Sequence, residues 1–283
     1  MADNIIFFTI FTPVYNGEKL FYRAFESVRN SIFRNFEWII INDGSTDQSD
    51  ALISSLIKDS SIDITYINWS ENKGKHIAWN YASQIAKGNV FIVLDCDDGF
   101  IPEALSILNE KWEHHYKDKD IYGIDTLCIN PDNNTIYGTR YPYDGIKATF
   151  EELFCLHNVK GEKWNSFRTE YMREIKFPEL KSPYYTENYM LNCLSLKYKV
   201  VGYNIVLRNY YYVPNSLVNK SSVKIDIVKM NIHYNAWYLR HYGWKIFKMS
   251  PIVYMITLLR QVRRIIICKL MSLGKIKEII REN

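Results

Sequence analysis

The chain has 283 residues, 47% of them hydrophobic, and a formal net charge of +4; that length and apolar share suit one large α/β domain, or a domain with an appendage, around a real core. Its five cysteines, at 96, 128, 155, 193 and 268, are an odd number with no C-x-x-C pair, which excludes a disulfide framework and a zinc site and points to a reducing compartment. From Tyr242 onward nine Lys and Arg face two Glu, so the basic character sits in the tail, and the rest of the chain is not a surface built for nucleic acid.

Asp3-Asn4 lead directly into a strand-like segment with no basic stretch followed by an apolar one, so no secretory signal is expected. Residues 5–11 are a continuous β-prone run, and Thr12-Pro13-Val14-Tyr15-Asn16-Gly17 reads as the turn after it. Leu20, Ala24, Val28 and Ile32, four apart, predict a helix over 18–33. A second strand over 38–41 ends in Asn42-Asp43-Gly44-Ser45-Thr46-Asp47, where Ser45 and Thr46 are N-cap candidates for a helix over 51–57. A third strand follows over 62–67, then a polar loop over 72–75 and a helix over 77–86 that Gly88 stops. Phe91-Ile92-Val93-Leu94, preceded by Val90, reads as a fourth, buried strand that delivers Asp95-Cys96-Asp97-Asp98.

Strand and helix thus alternate four times in the first hundred residues, which predicts a mostly parallel sheet with right-handed crossovers and helices on both faces. Every polar cluster follows a strand, so four loops converge on one sheet edge, where α/β proteins bind ligands. Beyond Pro102 the pattern loosens. A helix over 103–114, short strands and loops over 117–146, helices over 151–157 and 188–196, and strands over 199–212 are expected, with a break at Pro214-Asn215. That break divides the chain into a domain over 1–215, with halves 1–100 and 101–215, and a helical basic extension over 216–283. In the extension, residues 251–259 are too short an apolar run to span a bilayer; a basic amphipathic segment on an anionic membrane surface fits, and since Arg263 falls near the apolar face of Ile252, Ile256 and Leu259, a packed C-terminal helix or an oligomer contact is the plainer alternative.

Three carboxylates within four residues repel one another unless a cation compensates, which makes a hard divalent metal the simplest partner; acidic turn residues that merely cap the next helix are the plainer alternative. The edge also offers Tyr15 as an aromatic face, Asp43 as an acceptor, and Lys75 and His76 as cationic or hydrogen-bonding groups. That set suits a nucleoside diphosphate. With no G-x-x-x-x-G-K-[ST] and no G-x-G-x-x-G, a P-loop or a dinucleotide site is not expected. His114-His115 are adjacent and face different ways on a helix, so they do not read as a metal pair. Cys96 reads as a small filler, and His233 is a weaker metal candidate.

TPVYN at 12–16, INDGSTD at 41–47, NKGKHIAWN at 72–80 and LDCDD at 94–98, in that order, resemble the family 2 inverting glycosyltransferases of GT-A fold. The resemblance covers at least residues 5–200. It implies that Thr12, Pro13, Tyr15 and Asp43 line the base pocket, that Asp95 approaches the ribose, and that Asp97 holds a Mn2+ or Mg2+ ion on the diphosphate. Lys75 would contact base or diphosphate, and Asp98 would face the donor sugar or cap the next helix.

Gly161-Glu162-Lys163, Phe167-Arg168-Thr169-Glu170, Phe177-Pro178 and Thr186-Glu187-Asn188 further resemble a subgroup that decorates bacterial surface polysaccharides. There a glutamate ahead of a helix serves as catalytic base, which implies Glu187 here, although many relatives have Glu-Asp where this chain has Glu-Asn. Lys163 and Arg168 are candidate acceptor or diphosphate contacts, or plain surface charges. The resemblance implies a UDP-sugar donor, a lipid-diphosphate-linked acceptor for O-antigen or capsule, and a peripheral place on the cytoplasmic face of the membrane. A nucleotidyltransferase and a non-catalytic binding component are the rival readings.

Overall fold

The computed structural model describes residues 7–58, 60–179, 185–211 and 225–273, and the backbone of 222–223 and 279–280. Four strands, β1 (Phe8–Val14), β2 (Phe36–Asp43), β3 (Ile64–Trp69) and β4 (Val90–Val93), alternate with α1 (Phe21–Arg29), α2 (Ser49–Lys58) and α3 (Lys75–Ile85). They pair in parallel in the order β3-β2-β1-β4. β1, β2 and β4 are buried along their whole length, which is why they read as unbroken apolar runs rather than alternating ones. Phe21, Ala24, Phe25 and Val28 form the buried face of α1, the spacing of one helical stripe.

The second half adds β5 (Gly99–Phe100), α4 (Ala104–His115), β6 (Ile121–Asn130), β7 (Thr135–Ile136), β8 (Ile146–Ala148), α5 (Phe150–Cys155), β9 (Lys163–Arg168), α6 (Thr169–Glu174), α7 (Asn188–Ser195) and β10 (Lys199–Asn209). β9 enters antiparallel between β4 and β6, and β10 pairs parallel to β6. The sheet is therefore mixed, with the parallel block at one end. The sequence misses β6 as one long strand and β9 altogether, for a physical reason. Both carry polar residues whose partners lie across the ladder: Asp125 accepts from Asn165 Nδ2 at 2.6 Å, and Ser166 Oγ donates to Ile124 O at 3.0 Å while accepting from Trp112 Nε1 at 2.9 Å.

One core layer joins Phe8, Ile10, Trp38 and Ile40 to α1 and α4; the other joins Phe11, Ile39, Ile41 and Phe91 to α3 and α7. The C-terminal part forms a helical hairpin of α8 (Ile225–Met249) and α9 (Pro251–Ser272). Ser250, extended at φ −155°, caps α9 through Val253 N–H, and Pro251 occupies the first turn, where its missing N–H costs nothing. Tyr238, Tyr242 and Ile246 of α8 cluster with Cys155 and Tyr254, and Tyr242 Oη donates to Asn192 O at 2.5 Å. The expected break at Pro214-Asn215 lies outside the described residues. No helix among the described residues is long and apolar enough to cross a membrane.

Candidate active site

The loops after β1 and β2 are laced together. Asn16 N–H donates to Ser45 Oγ at 2.9 Å, Thr46 N–H to Asn16 Oδ1 at 2.8 Å, and Gly17 N–H to Ser49 Oγ at 2.8 Å. Ser45 and Thr46 therefore tie two loops instead of capping α2, which begins at Ser49 beside Asp47. Asp43, buried at the end of β2, accepts Lys73 N–H at 2.7 Å and Gly74 N–H at 2.8 Å on its two oxygens. Burial pushes its pKa up against these bonds. Gly44, at φ +65°, packs so closely that a Cβ would lie 2.2 Å from Glu71 C; only glycine fits there. Together these contacts fix the start of α3.

That start places Lys75, whose Nζ donates to Asp95 Oδ1 and to Glu187 Oε1, each at 2.5 Å. Burial alone would lower the Lys75 pKa, but the two carboxylates outweigh it and raise it. Arg208 of β10, 6% exposed, approaches from the other side. It donates to Asp95 Oδ2 at 2.8 Å and through Nε to Asp98 Oδ2 at 3.0 Å. Against its burial, Lys75 and Arg208 hold the Asp95 carboxyl at about 2. Glu187 stands at the entry to α7 with its side chain 43% exposed. Residues from four separate segments thus meet around Asp95.

Asp97 differs from its neighbours. Its carboxylate forms no ion pair among the described residues, and burial with the nearby Asp95 and Asp98 charges pushes it up to about 6. A carboxylate so crowded gains from a cation. Among the described residues no three His, Cys, Asp or Glu are grouped to hold a metal by themselves. One carboxylate plus substrate phosphate oxygens is, however, a usual way to hold Mg2+, and the Asp97 side chain fits that arrangement. His233 lies exposed on α8, and Cys96 packs against the core as the expected filler.

The other predicted residues divide. Tyr15 is 52% exposed beside the loops. Thr12 is fully buried with its Oγ1 accepting from Trp38 Nε1 at 3.0 Å, and Pro13 is buried in β1, so both reach the edge only through their main chain. The expectation that Asp98 faces a donor sugar or caps a helix is corrected. It is 1% exposed, Oδ2 takes Arg208 and Oδ1 takes Tyr211 N–H at 3.0 Å. Lys163 is half-buried, donating to Lys160 O at 2.9 Å and lying 5.7 Å over the Tyr141 ring.

Arg168 is corrected too: it pairs with Val90 at the opposite end of β4 from the acids and is fully buried. Its guanidinium donates to Ile121 O at 2.6 Å and to Asp118 O at 2.8 Å, which makes it a brace for the turn before β6. Arg208 was missed. A lone charge inside Ile205-Val206-Leu207-Arg208 is the signal that could have found it, since a charge in an apolar strand demands a buried partner. Glu162, named in a motif but given no role, lies within electrostatic reach of Arg208, Glu187, Asp95 and Lys75; burial raises its pKa.

The family model "Glycosyl transferase family 2" matches residues 9–176. The chain belongs to glycosyl transferase family 2. A teichoic acid poly(glycerol phosphate) polymerase of Staphylococcus epidermidis is 36% identical over 106 residues, 38% of this chain and 15% of that one. A Campylobacter jejuni GalNAc(5)-diNAcBac-PP-undecaprenol beta-1,3-glucosyltransferase is 28% identical over 174 residues, 60% of this chain and 54% of that one. The chain thus spans well under two thirds of the length of these relatives. Among solved structures, Staphylococcus aureus TarS 1-349 in complex with UDP-GlcNAc aligns with TM-score 0.64 at 18% identity over 83% of this chain and 67% of that one. The mannosyltransferase PcManGT of Pyrobaculum calidifontis, in complex with GDP-Man and Mn2+, aligns with TM-score 0.62 at 15% identity over 91% of this chain and 73% of that one. At these identities the likeness is one of fold, and it is the GT-A fold that the four motifs imply.

Proposed function

We propose that this glycosyltransferase moves a sugar, with inversion, from a UDP-sugar to a lipid-diphosphate-linked saccharide during synthesis of a bacterial surface polysaccharide, as O-antigen or capsule. The observation that carries the proposal is Lys75 Nζ lying 2.5 Å from both Asp95 and Glu187, which joins the donor-side acids and the candidate base in one site. The name of the Campylobacter relative and the UDP-GlcNAc held by TarS support the choice of acceptor and donor.

In this reading Tyr15 and the main chain of Thr12 and Pro13 border the base, beside Asp43. The acceptor hydroxyl gives its proton to Glu187 as its oxygen bonds to the anomeric carbon. On the opposite face the bond from that carbon to the diphosphate oxygen breaks, and the electron pair leaves with the diphosphate. Lys75 places a positive charge beside that leaving group. Mn2+ or Mg2+, held by Asp97 and the diphosphate, would add electrophilic stabilisation when bound. Arg208 keeps Asp95 aimed, and Lys163 is the candidate acceptor contact. The enzyme is proposed to work peripherally on the cytoplasmic face of the membrane.

The test is a thermal-shift screen of nucleotide sugars with and without Mn2+, on the wild type and Asp97→Asn. One UDP-sugar should raise the melting temperature only with the metal, and Asp97→Asn should weaken that binding about tenfold or more. Incubation with acceptor should release nucleoside diphosphate. Release of pyrophosphate instead would make the protein a nucleotidyltransferase.

A further inference from the structure

The inward face of α9 is used up. Val253, Tyr254, Thr257, Leu258 and Gln261 are half-buried, Tyr254 meets Phe247 with ring centroids 5.5 Å apart, and Gln261 Nε2 donates to Ile232 O at 3.1 Å. The outward face is apolar as well. Ile252, Met255, Ile256, Leu259, Val262 and Ile266 are each between 42% and 73% exposed. At 3.6 residues per turn they fall in a sector of about 120° that also holds the exposed Arg263, so they form an apolar stripe along the helix interrupted by one arginine. At the hairpin tip Trp244, 68% exposed, stacks on Phe247 at 5.7 Å, with Lys248 Nζ 5.2 Å over its ring. A face of this size left in water signals a partner.

Charge decides which partner. α9 contains Arg260, Arg263, Arg264 and Lys269 and no acidic residue, and from Ile225 to Leu273 eight Lys and Arg stand against Asp226 alone. A second copy docking stripe to stripe would bring Arg260 and Arg263 against their equivalents with no counter-charge on either helix. Anionic lipid headgroups supply that counter-charge, and acyl chains cover the stripe. Trp and Lys at the tip suit the headgroup boundary.

We propose that α9 lies in the plane of an anionic bilayer, sinking the stripe from Ile252 to Ile266, with Trp244 and Phe247 as an aromatic anchor at the hairpin tip. This deepens the peripheral location proposed above, and its test reads binding without turnover, so the catalytic reading and the lipid reading stand or fall separately. The full chain is sedimented with vesicles of phosphatidylglycerol and phosphatidylcholine, and with phosphatidylcholine alone. The wild type should bind the anionic vesicles, less at high salt, and bind neutral ones weakly. The double variant Ile256→Glu, Leu259→Glu should lose at least about tenfold in vesicle affinity, with an unchanged melting temperature because both side chains are exposed. Equal vesicle binding by the double variant, or none by the wild type, would overturn the proposal. So would a wild-type dimer in light scattering that the double variant converts to monomer, which would give the stripe to a second copy.

Discussion

Lys75 and Glu187, 112 residues apart, are joined by a 2.5 Å ion pair, and the same ammonium reaches Asp95. One cation therefore spans the end of the fourth strand and the entry to α7. Lys75→Met should leave the fold largely intact, costing about 1 kcal/mol or less, because both ion pairs are partly exposed and screened. Sugar transfer should fall by about 10² or more, as when one preorganised charge stabiliser is removed. Denaturant unfolding and initial rates of nucleoside diphosphate release separate the two effects.

Arg208 holds Asp95 and Asp98 from inside the sheet. Arg208→Met leaves Asp98 without its cation and Asp95 with Lys75 alone, and should destabilise the protein by about 3–5 kcal/mol, the cost of breaking a buried pair from one side. Adding Asp98→Asn to that variant should recover part of the loss, because the stranded charge is removed. Urea unfolding of the single and double variants checks this.

Glu151, fully buried in α5 beneath α8, carries a pH prediction. Burial pushes its carboxyl up to about 8, against the pull of Lys245. The folded state then keeps a proton that the unfolded state releases near the ordinary 4.5. This contribution is fully present below about 4.5, declines as pH rises to about 8, and is flat above. Glu151→Gln should flatten that slope, leaving stability little changed at pH 4.5 and raised by about 4 kcal/mol at pH 8. Melting temperatures across that range give the answer.

The first hundred residues were legible because the chain writes its strands there as unbroken apolar runs and its loops as polar clusters directly after them. What the residues in those clusters do was less legible. Asp43 braces the Lys73-Gly74 turn and Ser45 laces to Asn16, so much of the second motif builds the edge. Asp98 and Arg168 resemble surface charges in a sequence, and both prove to be buried because partners far along the chain, Arg208 and the carbonyls of 115–121, enclose them. Strand β9 and the buried Arg208 are invisible to periodicity for the same reason. Their polarity is satisfied by residues that only the fold brings near. The tail was legible as basic and amphipathic, but which of its apolar residues stay outside depends on how α9 packs on α8.

The central claim is that Glu187 takes the proton from the acceptor, and Glu187→Gln tests it most directly. With the UDP-sugar found by the screen, the variant should bind donor as the wild type does and lose about 10²–10⁴ of its transfer rate. Transfer near the wild-type rate by Glu187→Gln would contradict the assignment.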